Sequence, residues 1–148
     1  MAELLRVDNL SAGYDEAVVL NGISLTLAEG ETLALLGRNG TGKTTLAKML
    51  INELGVDEYD VLYANGSKEA RKIDWVDKLI SFCQTMPFGR LKIVLIDEAD
   101  YMNPQSVQPA LRNLMEDYSH TVRFILTCNY PSKIIPPIHS RCQGFQIN

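Results

Sequence analysis

Residues 37–44, Gly37-Arg38-Asn39-Gly40-Thr41-Gly42-Lys43-Thr44, decide the fold of this chain because they fit the pattern G-x-x-x-x-G-K-[ST] of a phosphate-binding loop, or P-loop. The apolar run 32–36 leads into them and predicts a strand. The apolar residues that follow recur at helical spacing: Leu46, Ala47, Leu50, Ile51 and Leu54. A strand before the loop and a helix after it are the context that the pattern requires; without them it would be an ordinary glycine-rich turn.

The residue types in this loop suit the binding of a nucleotide triphosphate. Its glycines allow backbone N–H groups to turn inward, and these groups form an anion site together with the N-terminus of the next helix. Lys43 would reach the outer phosphates, and the Thr44 hydroxyl would bind Mg²⁺. We therefore predict ATP or ADP with Mg²⁺ as cofactors, bound by Gly37, Arg38, Asn39, Gly40, Thr41, Gly42, Lys43, Thr44 and Thr45.

Composition favours one soluble domain over residues 1–148. The chain is 46% hydrophobic and 22% charged, and its net charge of −4 makes nucleic-acid binding by this chain alone unexpected. No apolar run reaches transmembrane length, so we expect no membrane contact. The odd number of cysteines, without a C-x-x-C pair, indicates reduced thiols. We expect a cytoplasmic monomer.

The remaining pattern predicts an α/β fold with three layers. Residues 3–10 and 18–27 suggest two strands that form a small antiparallel flap, with a kink or bulge at Asn21-Gly22. After the P-loop helix, strands and helices alternate, which favours a parallel sheet with helices on both faces. The predicted strands are 61–64, 93–96, 122–127 and 145–147, and one predicted helix spans about 70–85. A second helix is capped by Asn103 and has Pro104 at its first position. Pro109 lies about one turn into that helix, where it should bend the helix or remove a backbone hydrogen bond.

A second motif places two carboxylates at the end of a central strand. Ile93-Val94-Leu95-Ile96 is followed by Asp97 and Glu98, and ligands bind at the carboxyl edge of such sheets. Asp97 would hold the Mg²⁺ that Thr44 also contacts, and Glu98 would orient or deprotonate the attacking water. The alternative is a solvated acidic start of a helix, where Asp and Glu are favoured.

Three further residues are candidates with ordinary alternatives. Asn129 follows strand 122–127, so its amide would reach the water or the γ-phosphate, unless it is a turn asparagine before Tyr130-Pro131. Arg141 is a candidate phosphate contact, although an exposed arginine is usually a solvated charge. Tyr14 lies in a predicted turn, where its ring would stack on a base or simply pack.

Residues 3–40, from Leu4-Leu5-Arg6-Val7 to Gly37-Arg38-Asn39-Gly40, resemble the start of an ABC-transporter ATP-binding subunit. The resemblance implies that Tyr14 stacks on adenine and that Val19 lines the same pocket.

Residues 41–148 resemble the AAA+ core of a clamp-loader subunit, of the replication-factor-C or phage type. The motifs that carry this resemblance are Gly42-Lys43-Thr44-Thr45, Ile96-Asp97-Glu98-Ala99-Asp100, Leu114-Met115-Glu116, Thr127-Cys128-Asn129 and Ser140-Arg141-Cys142. By this resemblance Asn129 is the sensor-1 asparagine, and Arg141 is an arginine finger that acts in trans on a neighbouring subunit. Both families imply the sheet order 5-1-4-3-2, with the P-loop strand central.

Each resemblance is incomplete. The chain lacks the L-S-G-G-Q signature of ABC subunits, and Arg38-Asn39 replaces the two prolines of the clamp-loader loop, whose lid and collar domains are also missing. We therefore predict a minimal, engineered chimera, joined within the P-loop, that binds Mg-ATP and hydrolyses it slowly at most, as a weak ATPase. The alternatives are a stable chimeric scaffold with little or no nucleotide binding and a fragment of a DNA clamp-loader ATPase subunit.

Overall fold

A computed structural model describes the backbone of residues 3–14, 17–28, 32–36 and 42–146. Within residues 3–28 it describes the side chains of Arg6 and Asp8, and it describes those from 32 to 36 and from 42 to 144. The described strands form two sheets, one antiparallel with two strands and one parallel with five strands. Residues 37–41, which hold most of the predicted P-loop, lie outside the described part.

The two-stranded sheet is the predicted antiparallel flap. Strands β1 (Glu3–Tyr14) and β2 (Ala17–Ala28) are longer than the sequence pattern indicated, because pairing continues through the predicted turn as far as Tyr14 and Ala17. Leu10 pairs with Ile23 and Ala12 with Leu20, so two residues of β2, Asn21 and Gly22, face one residue of β1. That insertion is the β-bulge expected at Asn21-Gly22.

The five-stranded sheet has the order β4-β5-β6-β3-β7, and all of its neighbouring strands are parallel. Counted from the P-loop strand β3, this order is 2-3-4-1-5, which is the predicted order read from the other edge. The strands are β3 (Thr32–Leu36), β4 (Val61–Asn65), β5 (Lys92–Asp97), β6 (Val122–Cys128) and β7 (Cys142–Gln146). The helices are α1 (Lys43–Glu53), α2 (Asp74–Gln84), α3 (Val107–Asp117) and α4 (Pro136–His139).

Alternating side chains of the strands build a separate core on each face of the sheet. On one face, Leu33 and Ile93 pack with α1, whose buried residues include Leu46. On the other face, Val94 and Phe124 pack with α2, α3 and α4. Because all five strands are parallel, the polar residues at their carboxyl ends meet at the same edge of the sheet. None of the described helices is long and apolar enough to cross a membrane.

Two predicted helix boundaries are wrong for local reasons. Helix α3 begins at Val107 and not at Pro104. Asn103 caps the turn before it as predicted, because its side-chain oxygen accepts hydrogen bonds from the N–H groups of Gln105 (2.8 Å) and Ser106 (3.0 Å). Pro109 is therefore in the first turn of α3, where a missing N–H costs no helical hydrogen bond. Helix α2 begins at Asp74 because residues 69–71 form a separate 3₁₀ turn.

The last strand also begins earlier than the predicted range of 145–147. Strand β7 starts at Cys142, and its residues pair in register with β3 from Thr32 opposite Cys142 to Leu36 opposite Gln146. Pairing with a buried neighbour extends the strand over Gln143 and Gly144, residues that an apolar pattern does not mark as strand.

Candidate functional site

The described end of the P-loop has the backbone that the motif requires. Gly42 has a φ of 92°, a left-handed conformation that glycine adopts without steric cost. Its carbonyl oxygen accepts the N–H of Leu46 at 2.9 Å, so helix α1 begins directly after it, at Lys43. Lys43, Thr44 and Thr45 therefore lie in the first turn of α1. The other predicted loop residues, Gly37 to Thr41, lie outside the described residues.

Lys43 lies at the carboxyl edge of the sheet and is nearly buried, with 7% of its surface exposed. Its Nζ donates a hydrogen bond of 2.6 Å to the Oδ1 of Asn129, which is 86 residues away in the chain. Burial lowers the pKa of the Lys43 ammonium, and the carboxylates of Asp100, Asp97 and Glu98 act in the opposite direction. The structure thus brings the predicted phosphate-binding lysine and the predicted sensor asparagine into direct contact.

Thr44 and Asp97, the two predicted Mg²⁺ ligands, meet at the carboxyl edge of the sheet. The Thr44 hydroxyl donates to the Oδ1 of Asp97 at 3.1 Å. The Thr127 hydroxyl also donates to this oxygen and accepts the N–H of Glu98 at 3.1 Å. No group of three or more His, Cys, Asp or Glu side chains in the described part could hold a metal by itself. One hydroxyl and one carboxylate fit Mg²⁺, which usually takes its remaining ligands from phosphates and water.

Glu98 leaves the end of β5 in an unusual conformation. It has a φ of 52°, and among the described residues it is the one non-glycine with a positive φ. Its Oε2 is 2.5 Å from the Oγ of Ser67, which also lies 2.6 Å from the Oδ1 of Asn65. The Ser67 hydroxyl has a single proton, so these two acceptors compete for it. The Glu98 carboxylate is therefore held by the turn that follows β4.

Gly66 packs against the backbone of residues 97–98. Its N–H donates to the carbonyl oxygen of Asp97 at 2.7 Å, and a Cβ at this position would lie 2.3 Å from the carbonyl oxygen of Glu98. A contact that short with backbone forces one of the two segments to move. Position 66 therefore has to remain glycine for Asp97 and Glu98 to keep their places.

We predict that Gly66→Ala lowers the free energy of unfolding by about 1–3 kcal/mol, the usual cost of overpacking, and reduces any ATP hydrolysis. Urea denaturation and phosphate release measure the two effects. Gly89→Ala is the control, because the nearest atom to a Cβ there is 3.7 Å away. Equal stability of the two variants would contradict the prediction.

Arg141 is not brought to this site. Its carbonyl oxygen accepts the N–H of Thr32 at 3.4 Å, which places it at the amino edge of the sheet, the edge opposite Lys43. Its guanidinium lies 3.2 Å from the Oε1 of Glu116, whose other oxygen pairs with Arg112 at 2.9 Å. Arg141 therefore cannot serve the nucleotide site of its own chain.

Other predicted and unpredicted residues complete the site. The side chains of Tyr14 and Val19 lie outside the described residues, so their contact with a base stays a prediction. The sequence interpretation did not single out Ser67 and Thr127. The signal that could have found them is positional, since each lies in or just after the end of a strand beside β5.

Comparison with known proteins gives a consistent result. Residues 33–147 match the model of the ATPase family associated with various cellular activities (AAA). The Replication factor C small subunit of Methanococcus maripaludis is 45% identical over 121 residues, which cover 78% of this chain and 38% of that protein. The subunit of Staphylothermus marinus is 43% identical over an alignment of 152 residues, which covers 98% of this chain and 46% of that protein. Small subunit 1 of Pyrobaculum arsenaticum is 40% identical over an alignment of 161 residues, which covers 100% of this chain and 48% of that protein.

Solved structures show the same fold. A DNA polymerase III gamma subunit-related protein from Thermotoga maritima superposes with a TM-score of 0.69 at 20% identity, over 81% of this chain and 42% of that one. RuvB from the same organism superposes with a TM-score of 0.64 at 22% identity, over 80% of this chain and 38% of that one. At these identities the likeness is evidence for the fold alone.

The comparisons do not support the expected ABC-transporter segment or the chimera. Two of the Replication factor C subunits align with 98% and 100% of the chain, so residues 1–40 need no second source. The chain spans less than half the length of these relatives. Because the family match covers residues 33–147, well over half of the chain, the protein belongs to the ATPase family associated with various cellular activities.

Proposed function

We propose that this chain is the nucleotide-binding core of a clamp-loader-type AAA ATPase subunit, which binds Mg-ATP and hydrolyses it slowly when alone. The observation that carries the proposal is the convergence of Lys43 with Asn129, and of Thr44 with Asp97, at the carboxyl edge of one parallel sheet. This replaces the engineered chimera as the leading interpretation. The similarity to Replication factor C subunits favours the alternative of a clamp-loader ATPase subunit over both the chimera and the scaffold.

The described residues have distinct roles in this proposal. Lys43 turns from Asn129 to the outer phosphates, and the low exposure of its side chain strengthens the attraction between the charges. Thr44 and Asp97 would hold Mg²⁺, which neutralises phosphate charge when bound. Glu98 accepts a proton from the attacking water once it leaves Ser67. The Asn129 amide, released by Lys43, orients that water or the γ-phosphate.

We further propose that the chain works in an assembly of several subunits. Its relatives are named small subunits, and Arg141 lies too far from its own site to act there. The expected monomer is therefore replaced by a subunit whose Arg141 enters a neighbour's site. With a net charge of −4, this chain alone has no general attraction for DNA, so contact with DNA would depend on the complete assembly.

The competing function is a stable scaffold with little or no nucleotide binding. Isothermal titration calorimetry with ATP and ADP, with and without Mg²⁺, separates the two functions. The proposed site predicts binding of both nucleotides and tighter binding of ATP when Mg²⁺ is present, because Thr44 and Asp97 supply two of its ligands. No heat of binding from the folded chain would favour the scaffold.

We predict that Lys43→Ala weakens ATP binding about ten- to a hundredfold, because it removes a charge-assisted contact to the outer phosphates. Calorimetry on the folded variant measures the loss. Lys78→Ala is the matched control, since Lys78 is an exposed lysine on α2, which packs on the face of the sheet opposite α1. Unchanged affinity in a well-folded Lys43→Ala variant would rule out this site.

The base-binding role of Tyr14 stays a proposal that rests on its aromatic side chain at the end of β1, where the chain passes to β2. If its ring stacks on adenine, Tyr14→Ala should cost about 1–3 kcal/mol of ATP affinity, by analogy with stacking of bases on aromatic side chains. Inorganic triphosphate is the control ligand, because it has no base and its binding should not change. Equal losses for both ligands would show that Tyr14 acts through folding.

A further inference from the structure

Asp100 is a buried carboxylate beside the site that the proposed mechanism does not use. It lies in the 3₁₀ turn that follows Glu98, and only 5% of its surface is exposed. Its Oδ2 accepts the N–H groups of Asn129 at 3.3 Å and Tyr130 at 2.9 Å, which lie 29 and 30 residues further along the chain. One carboxylate oxygen thus joins the end of β5 to the segment that leaves β6.

This connection helps to fix the backbone position of Asn129. Asn129 directly follows β6, and its side chain meets Lys43 at 2.6 Å. Its backbone position depends on the strand on one side and on Asp100 on the other. Two hydrogen bonds from successive N–H groups to one charged acceptor hold a backbone segment more firmly than neutral bonds do.

The other oxygen of Asp100 makes this residue a costly choice for stability, so its presence is not explained by folding alone. Oδ1 is buried and has no hydrogen-bond partner among the described residues. A buried oxygen without a partner costs stability, and an apolar side chain would avoid that cost. Asp100 is connected to Lys43 through Asn129, whose backbone N–H it accepts and whose Oδ1 accepts the lysine ammonium. Its charge also opposes the lowering of the lysine pKa by burial.

We propose that Asp100 is a positioning residue, which holds the backbone of Asn129 and Tyr130 so that the Asn129 amide meets the γ-phosphate of ATP. Asp100 is thereby a determinant of the preference for triphosphate over diphosphate. This inference rests on the proposed function, because it requires that nucleotide binds beside Lys43. Asp100 itself touches neither the nucleotide nor the water.

The chain contains a matched control for this geometry. Asp60 is fully buried, and its two carboxylate oxygens accept the N–H groups of Phe88 and Gly89, each at 2.9 Å. It precedes β4 and therefore lies at the amino edge of the sheet, away from Lys43. Substitution of Asp60 removes a similar pair of backbone hydrogen bonds without affecting Asn129.

Calorimetry with Mg-ADP and with the slowly hydrolysed analogue Mg-ATPγS tests the proposal on the full chain. The ratio of the two affinities is measured for the unsubstituted chain, Asp100→Ala, Asn129→Ala, the double variant and Asp60→Ala. We expect Asp100→Ala and Asn129→Ala each to lose about tenfold in the preference for the triphosphate. The double variant should lose no more of this preference than either single variant. The affinity for Mg-ADP should be unchanged in all of them, and Asp60→Ala should keep the preference for the triphosphate.

Asp100→Asn preserves size and keeps an oxygen that can accept both N–H groups, so we expect it to retain more of the preference than Asp100→Ala. Asp100→Asn also tests the proposal if the alanine variant does not fold. Any loss of the triphosphate preference in Asp100→Asn should then be accompanied by faster amide hydrogen exchange at Asn129 and Tyr130. Losses that add fully in the double variant, or an unchanged preference in a folded Asp100→Ala, would overturn this inference alone. Absence of nucleotide binding by the unsubstituted chain would overturn the proposed function as well.

Discussion

Glu98→Gln is expected to bind Mg-ATP normally and to release phosphate about 10²–10⁴-fold more slowly than the unsubstituted chain. Glutamine has the same size and can still accept the Ser67 hydroxyl at the place of Oε2, but it cannot take a proton from water. Binding by calorimetry and phosphate release under saturating nucleotide separate the two properties. Because hydrolysis by the chain alone should already be slow, single-turnover measurements at high protein concentration are required.

Glu69→Gln is the matched control for this variant. Glu69 lies near the same turn, where its Oε1 accepts the N–H of Asn65 at 2.9 Å, but it does not follow the central strand. We expect its substitution to leave the rate unchanged. Unchanged phosphate release in Glu98→Gln, or an equal loss in both variants, would exclude Glu98 as the residue that activates water.

Arg141→Ala is expected to slow the hydrolysis that depends on contact between subunits by about 10³–10⁵-fold, which is the usual contribution of an arginine finger. Turnover of the isolated chain should not change and should stay far below about 1 s⁻¹, the slow end of typical enzymes. The reason is geometric, since Arg141 lies beside Thr32 at the edge opposite Lys43. Phosphate release is measured over a wide range of protein concentration.

Mixing two inactive variants gives the sharper test. Lys43→Ala keeps Arg141 but lacks its own site, whereas Arg141→Ala keeps the site but lacks the finger. If Arg141 acts in trans, the mixture should hydrolyse ATP at concentrations where neither variant does so alone. Arg112→Ala is the control, because Arg112 also pairs with Glu116 but lies on α3. Fast turnover that is independent of concentration and lost in Arg141→Ala would instead place the finger in its own site.

For the N-terminal segment, the local sequence pattern predicted the structure correctly, whereas the family resemblance was not supported. The alternation of apolar residues correctly predicted a hairpin with a bulge at Asn21-Gly22, because strand pairing and bulges follow local patterns. The assignment of this segment to a transporter family was not supported, since Replication factor C subunits align with nearly the whole chain. Short apolar strands before a P-loop are a feature that unrelated members of this fold class can share.

The sequence by itself determined the sheet and the edge where chemistry takes place. Runs such as 93–96 require a buried central strand, and the residues that follow it, Asp97 and Glu98, must then emerge at the carboxyl edge near Thr44. These conclusions depend on spacing within one segment, which the amino-acid order specifies directly.

Only the tertiary structure decided which side chains from different segments meet. The contacts of Ser67 with Glu98 and of Asp100 with the N–H groups of Asn129 and Tyr130 join residues 29 to 31 positions apart. The contact between Lys43 and Asn129 spans 86 positions. Such contacts depend on strand register and on turn geometry, including the positive φ of Glu98 and the close approach of Gly66, and a pattern along the chain does not contain these quantities.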